Sequence, residues 1–308
     1  MTPAQKILVI GAGELGRQVI RFVAQHPRHT GTTAVLLRPS TITSTDPSKE
    51  KEIATIQSLG CSLVPGDLVQ DSEDKLAAIF ASYDTVIGCT GFVSGKGIQL
   101  KVTRAVLAAG TSRYIPWQFG VDYDVIGRGS PQPVFDEQLD VRDLLRSQSR
   151  TRWAIVSTGM FTSFLFEPWF GVVDVKNSTV RALGAWENRV TVTTPEDIGK
   201  ITAQIVLGEE NESLFANQAI FIGGDTLSYG QLAELVETLM QRPFKREVLA
   251  VPDVQSQLQK EPGNAILSYQ AVFGQGRGVA WDLSETWNWQ RGIRAKTAEE
   301  WARENLLS

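Results

Sequence analysis

Residues 6–16 read KILVIGAGELG. The apolar run Ile7–Ile10 is typical of a β-strand that is buried on both faces. It leads into Gly11, Gly13 and Gly16, whose spacing matches the G-x-G-x-x-G turn that opens a helix in dinucleotide-binding folds. Apolar residues at helical spacing follow this turn. The segment therefore predicts a strand, a glycine turn and a helix, which together begin a nucleotide-binding unit.

Each glycine of this turn has a separate physical task. Gly11 permits the tight turn, Gly13 lets backbone N–H groups approach a pyrophosphate, and Gly16 allows the helix to pack closely on the strand. The helix N-terminus adds a partial positive charge, which favours phosphate. Glu14 and Leu15 occupy the same turn. We therefore expect all five residues to line a dinucleotide cofactor.

Strand-like and helix-like segments alternate beyond the glycine turn as far as residue 158. The predicted strands cover residues 33–38, 61–64, 85–89, 113–116 and 153–157, and the predicted helices cover 48–59, 74–80, 99–109 and 135–147. Such alternation specifies a parallel, doubly wound sheet. We therefore predict an α/β protein built on a Rossmann sheet.

The alternation becomes less regular after residue 158. We predict a dinucleotide-binding Rossmann domain over residues 1–158 and a smaller C-terminal α/β substrate lobe over 159–308. Within that lobe, residues of about 190–222 are expected to return to the Rossmann sheet. The lobe is expected over the carboxyl ends of the strands, where open α/β sheets bind ligands.

The residue that ends the second strand distinguishes NAD from NADP. Enzymes that use NAD place a carboxylate there to bind the ribose hydroxyls, whereas this chain has Arg38, with Lys49 shortly after it. A guanidinium is the natural partner of a 2′-phosphate. The alternative is that Arg38 is a solvated charge at a strand end. The sequence predicts NADP(H) as the cofactor.

Further cofactor contacts are expected from the turns after the third and fourth strands. Asp67 follows the third strand, and Thr90, Gly91 and Phe92 follow the fourth. The carboxyl ends of parallel strands lie along one edge of the sheet, so these turns should pass beside the same ligand.

Composition argues against several classes of partner. The chain has 308 residues, a formal net charge of −4 and no long block of Lys and Arg, so neither nucleic-acid nor membrane binding is expected. Two cysteines in apolar segments, and the absence of a signal segment or an apolar run of ~18 residues, favour a cytoplasmic protein. No Cys/His cluster suggests a metal site. A homodimer is left open.

The chain resembles the NmrA-like and isoflavone reductase-like group of atypical short-chain dehydrogenases. The resemblance rests on the glycine turn, on Arg38, on Gly66-Asp67 and on residues 114–120, which read YIPWQFG and are similar to the F-P-S-E-F-G segment of that group. It implies an NADPH-dependent reductase. It also implies that Trp117, Gln118 and Phe119 lie beside the nicotinamide.

The same resemblance places Gln138 where the reductases of the group carry a helix lysine that assists the chemistry. Glutamine can only hydrogen-bond as a neutral group, so the proton must come from elsewhere. No tyrosine is followed by lysine four residues on, which excludes the Tyr-x-x-x-Lys pattern of classical short-chain dehydrogenases. Tyr123, Gln118 and Gln138 are the candidate catalytic residues.

Aromatic residues after the sixth strand are candidates for an apolar substrate wall. These residues are Phe161, Phe164, Phe166, Trp169 and Trp186. Ligand pockets are lined in this way, although the same residues could form the core of the lobe.

Three functions remain open on this evidence. The first is an NADPH-dependent reductase of a bulky, apolar or aromatic metabolite with an electron-poor C=C, C=N or C=O bond. The second is a tailoring enzyme that uses NADP(H) and directs a cyclisation. The third is a redox sensor that binds the dinucleotide without turnover.

Overall fold

The chain is described by a computed structural model that covers residues 5–92 and 95–307. It divides into two compact units, each built from three segments. The first unit comprises Met1–Gln118, Asp140–Val156 and Ile198–Ile220, and the second comprises Phe119–Leu139, Ser157–Asp197 and Phe221–Ser308. The predicted boundary at residue 158 stays a prediction.

The strands and helices of the described residues are numbered here in chain order. The strands are β1 (Lys6–Ile10), β2 (Thr32–Leu37), β3 (Ser62–Pro65), β4 (Thr85–Gly88), β5 (Arg113–Ile115), β6 (Arg152–Ser157), β7 (Met160–Phe161), β8 (Val173–Asp174), β9 (Thr179–Leu183), β10 (Arg189–Thr193), β11 (Gln218–Phe221), β12 (Asp225–Ser228) and β13 (Lys245–Leu249). The helices are α1 (Glu14–Ala24), α2 (Pro39–Ile42), α3 (Pro47–Ser58), α4 (Glu73–Phe80), α5 (Ile98–Ala109), α6 (Tyr123–Ile126), α7 (Val134–Arg146), α8 (Pro195–Leu207), α9 (Asn211–Leu214), α10 (Tyr229–Met240), α11 (Val251–Lys260), α12 (Ala265–Gly274), α13 (Trp287–Gln290) and α14 (Ala298–Leu306).

A seven-stranded sheet forms the centre of the first unit, in the order β11-β6-β5-β4-β1-β2-β3. All pairings among β1 to β6 are parallel. The N–H of Asn217 donates to the carbonyl of Trp153 at 3.0 Å, which places β11 beside β6. The order reverses between β1 and β4, as in a doubly wound Rossmann sheet. The predicted fold class is confirmed.

Local sequence explains where several helices begin and end. Gly110, at φ +68°, ends α5 in the left-handed conformation that glycine adopts without strain. The Thr194 hydroxyl accepts the N–H of Asp197 at 3.1 Å, so it caps α8, which begins with Pro195. Helix α10 begins with a capping box formed by Ser228 and Gln231.

The second unit contains two three-stranded sheets, in the orders β12-β10-β7 and β13-β9-β8. The C-terminal helix α14 packs against its apolar core through Ala298 and Ala302, which are completely buried. The indole of Trp301 stacks on the ring of Phe166, with centroids 5.0 Å apart and planes at 18°. The backbone N–H of Ala298 also donates to Asp225 at 3.1 Å. Helix α14 is thus held by both packing and a charged acceptor.

We expect replacement of Trp301 by alanine to lower the free energy of unfolding by about 2 kcal/mol, because the stacked and partly buried indole is lost. Urea denaturation followed by circular dichroism measures the change. Trp289→Ala is the matched control, since Trp289 is 60% exposed and its loss should cost less than about 0.5 kcal/mol. Equal effects of the two variants would show that the stack contributes nothing.

No helix among the residues described is both long enough and apolar enough to span a bilayer.

Candidate functional site

The glycine turn joins the carboxyl end of β1 to the start of α1. Gly11 has φ +91°, and a Cβ there would lie 2.3 Å from the hydroxyl oxygen of Thr90. A Cβ on Gly16 would lie 2.3 Å from the carbonyl oxygen of Gly11, whereas one on Gly13 would meet no atom within 4 Å. Gly13 precedes α1, and no side chain caps that helix. The first N–H groups of α1 are therefore available to a ligand.

A cleft of about 380 Å³ lies over this turn within the first unit. It is lined by Gly11, Ala12, Gly13, Arg17, Leu36, Leu37, Arg38, Thr41, Lys49, Glu52, Gly66, Asp67, Leu68, Val69 and Thr90. Six of these residues are among the predicted cofactor contacts: Gly11, Gly13, Arg38, Lys49, Asp67 and Thr90. The cleft lies beside the point where the strand order reverses, which is where doubly wound sheets bind nucleotides.

The cleft has two positively charged groups at its β2 end that the sequence had singled out. Arg38 directly follows β2 and is exposed, and across residues 5–92 and 95–307 its guanidinium has no ion-pair partner. The Lys49 ammonium forms an ion pair with Glu52 at 3.0 Å. Asp67 accepts the N–H groups of Val69 and Gln70 at 2.8 and 3.1 Å, so its carboxylate shapes the turn after β3.

Three other residues predicted from the glycine turn do not line the cleft. Glu14 is the first residue of α1 and is exposed, while Leu15 and Gly16 are buried. Gly16 packs against the backbone of Gly11, which allows α1 to start close to the turn. Their contact with a cofactor stays a prediction.

The turn after β4 is attached to the glycine turn and to α5. The Thr90 hydroxyl donates to the carbonyl of Ile10 at 3.1 Å, and the Gln99 amide donates to the carbonyl of Thr90 at 2.9 Å. The Phe92 and Trp117 rings meet edge to face at 4.4 Å, and a Cβ on Gly91 would lie 2.8 Å from the Trp117 indole. A side chain at position 91 would therefore displace the Trp117 indole from its present place beside the turn.

Gln118 follows Trp117 and is completely buried. Its side-chain oxygen accepts a hydrogen bond from Nε of Arg142 at 2.8 Å, and Arg142 is itself completely buried. This bond fixes the orientation of the Gln118 amide. Sequence reasoning missed Arg142, because an arginine on an amphipathic helix is usually exposed.

Tyr123, Gln138 and Phe119 belong to the second unit. The Tyr123 ring meets Phe135 edge to face at 4.9 Å, and its hydroxyl oxygen would lie 2.7 Å from a Cβ on Gly120. Gln138 is completely buried on α7, and Phe119 is 6% exposed. Their catalytic and cofactor roles stay predictions.

Comparison with known proteins identifies the family. Residues 3–301 match the NmrA-like family. The chain belongs to this family. It is 46% identical over 307 residues to an NmrA-like family domain-containing oxidoreductase of Gibberella moniliformis (strain M3125 / FGSC 7600), with 99% of each chain covered. It is also 27% identical over 289 residues to isoflavone reductase homolog P3 of Arabidopsis thaliana, with 89% of this chain and 88% of that one covered. The resemblance stated from the sequence is confirmed.

Solved structures share the fold of this NmrA-like protein. A crystal structure of isoflavone reductase superposes with a TM-score of 0.80 at 22% identity and covers 99% of both chains. The binary complex of leucoanthocyanidin reductase and NADPH from Vitis vinifera gives a TM-score of 0.80 at 20% identity, with 98% of this chain and 100% of that chain covered.

The aromatic residues predicted to form a substrate wall occupy different environments in the second unit of the NmrA-like protein. Phe166 is buried against Trp301, and Trp186 packs on the apolar core. Phe164 contacts Phe161 at 5.6 Å and Trp169 at 5.2 Å. Trp169 is 50% exposed. Phe161, Phe164 and Trp169 are thus not fully buried, although Phe164 also packs against the apolar core, and a substrate wall of these residues stays a prediction.

Neither of the two cysteines and neither of the two histidines lines the cleft over the glycine turn. Burial raises the pKa of the Cys61 thiol to about 11 and raises the pKa of the Cys89 thiol further, so both stay protonated at neutral pH. Burial lowers the pKa of His26 and of His29, which favours their neutral forms. Among the residues described, no group of three or more His, Cys, Asp or Glu side chains could hold a metal ion.

Proposed function

We propose that this NmrA-like protein is an NADPH-dependent reductase of a bulky, apolar or aromatic substrate that carries an electron-poor C=C, C=N or C=O bond. The name of its Gibberella relative, an oxidoreductase, supports the reaction class. The complex of leucoanthocyanidin reductase with NADPH supports the cofactor. A second solved structure with a similar fold, AtPrR2 with NADP+ and (+)pinoresinol, supports both the cofactor and the kind of substrate.

The observation that carries the proposal is the exposed guanidinium of Arg38 in the cleft over the glycine turn. An NAD-specific site places a carboxylate at this strand end. An arginine at this position, unlike a carboxylate, does not repel a phosphate. It can bind a 2′-phosphate through two parallel hydrogen bonds. Lys49 is another cation that lines the cleft.

Each part of the cleft has a binding task in this proposal. The N–H groups at the start of α1 hold the pyrophosphate, and Arg38 and Lys49 hold the 2′-phosphate. Gly66 and Asp67, in the turn after β3, border the adenosine half. Bound NADPH supplies a hydride ion, which is what an electron-poor double bond accepts.

The proton that completes the reduction must come from a group other than lysine at position 138. We propose the Tyr123 hydroxyl as the donor and the Gln118 and Gln138 amides as groups that orient the substrate. A conjugated acceptor places less demand on a strong acid, because the negative charge formed by hydride addition is delocalised. The Phe161-Phe164-Trp169 group supplies the apolar contact for the substrate.

The test is titration of the purified protein with NADPH and NADH, followed by NADPH consumption assays with aromatic enones, imines and ketones. We expect saturable binding of NADPH, at least tenfold weaker binding of NADH, and NADPH oxidation with at least one acceptor class. Conversion without net NADPH oxidation would indicate the cyclising enzyme, and binding without any turnover would indicate the redox sensor. Absence of NADPH binding would refute the proposal.

A further inference from the structure

Arg17 lies in the same cleft as Arg38 and Lys49 but reaches it from a different element. It is the fourth residue of α1, directly after Gly16. It is exposed, and across the described ranges 5–92 and 95–307 its guanidinium has no ion-pair partner. Two guanidinium groups without carboxylate partners therefore border one cleft.

The cleft also contains two carboxylates that oppose these cations. Glu52, on α3, has a side chain that is 13% exposed and pairs with the Lys49 ammonium at 3.0 Å. Asp67 is engaged by the backbone N–H groups of the turn after β3. The three cations Arg17, Arg38 and Lys49 and the two carboxylates of Glu52 and Asp67 together leave an excess of one positive charge.

We propose that Arg17 is a third cation for the 2′-phosphate and that Glu52 limits the affinity of this site by holding Lys49. This inference rests on the proposed function. A 2′-phosphate carries up to about two negative charges at neutral pH, which the excess positive charge around the cleft would partly neutralise. Removing Glu52 would remove the carboxylate that competes with the phosphate for Lys49, so changes at Arg17 and at Glu52 should act in opposite directions.

The neighbouring Arg21 provides a matched control. It lies one turn further along α1 and lines the groove between α1 and α3 together with Lys51 and Thr55, and Arg17 and Glu52 border this groove as well as the cleft. Arg21 does not line the cleft over the glycine turn. An Arg21→Gln change removes the same charge from the same helix, so it measures the long-range electrostatic effect alone.

The experiment is calorimetric titration of the wild type and of R17Q, E52Q and R21Q with NADP+, NAD+ and 2′,5′-ADP. We expect R17Q to weaken NADP+ and 2′,5′-ADP binding by about fivefold to tenfold, the scale of one charge-assisted contact that is partly exposed to solvent. Binding of NAD+ should be unchanged. E52Q should strengthen NADP+ binding by about twofold to threefold. R21Q should leave the affinity for all three ligands unchanged.

Three results would overturn this inference. R17Q could leave NADP+ binding unchanged, or it could weaken NADP+ and NAD+ equally, which would indicate a distorted helix. E52Q could weaken NADP+ binding, which would show that Glu52 positions Lys49 for the ligand. In each case binding of NADP+ by the wild type would leave the proposed function standing, whereas its absence would refute both proposals.

Discussion

Replacing Arg38 by aspartate is expected to weaken NADP+ binding by about 100-fold. The change removes a charge-assisted hydrogen bond, worth about 2 kcal/mol, and adds a repulsion of about 1 kcal/mol between two negative charges near solvent. An aspartate at this strand end can also bind the ribose hydroxyls of NAD+. We therefore expect the preference for NADP+ over NAD+ to be lost or reversed, as measured by titration with both.

Two further variants separate the effects at Arg38. Arg38→Met removes the charge without adding repulsion, so its NADP+ affinity should lie between those of the wild type and R38D. Lys51→Asp makes the same change of charge on α3 but outside the cleft, since Lys51 lines the α1–α3 groove. If K51D were as harmful as R38D, the effect would be one of total charge and the role proposed for Arg38 would be wrong.

Gly16→Ala is expected to lower the free energy of unfolding by about 2–3 kcal/mol, the cost of forcing extra atoms into a packed position. The new Cβ would lie 2.3 Å from the Gly11 carbonyl oxygen and 2.9 Å from its carbonyl carbon. Neither backbone atom can move without shifting α1 or the turn. We therefore expect NADPH binding to be lost as well, as measured by urea denaturation and by titration.

Gly13→Ala is the matched control for the clash at Gly16. Gly13 has φ −67°, which alanine adopts readily, and a Cβ there meets no atom within 4 Å. Stability should therefore stay within about 0.5 kcal/mol of the wild type or rise slightly. NADPH binding should still weaken at least tenfold, because the methyl group occupies the space where the pyrophosphate approaches the backbone. Full NADPH affinity in G13A would contradict a dinucleotide in this turn.

Local features of the sequence were sufficient to predict the Rossmann sheet and the centre of the cleft. The apolar run Ile7–Ile10 has the pattern of a buried strand, whereas the residues after the glycine turn have apolar side chains at helical spacing. Both patterns can be recognised from residues that are close together in the chain. Gly11 and Gly13 were recognised for the same reason, since their tasks depend on the turn itself. Arg38 could be assigned because it ends a predicted strand, and parallel strands end along one edge of the sheet.

The sequence restricted the possible orders of the sheet but did not select one. Alternating strands and helices require right-handed crossovers, which leave few arrangements for β1 to β6. The addition of β11 beside β6 was less determined. Strand β11 lies far from β6 in the chain, and the apolar residues 219–222 by themselves do not specify which strand they pair with.

Only the tertiary structure decided which side chains meet across distant segments. Arg17 looks like an ordinary charge on the exposed face of α1, and its place beside the cleft depends on how α1 packs against α3. Arg142 donates to Gln118, 24 residues earlier in the chain, and Phe166 stacks on Trp301 although the sequence equally suggested a substrate contact. Such pairs depend on long-range packing, which no local pattern records. The sequence by itself therefore determined the sheet, the glycine turn and the cation at the end of β2, whereas the folded chain decided which further residues join them.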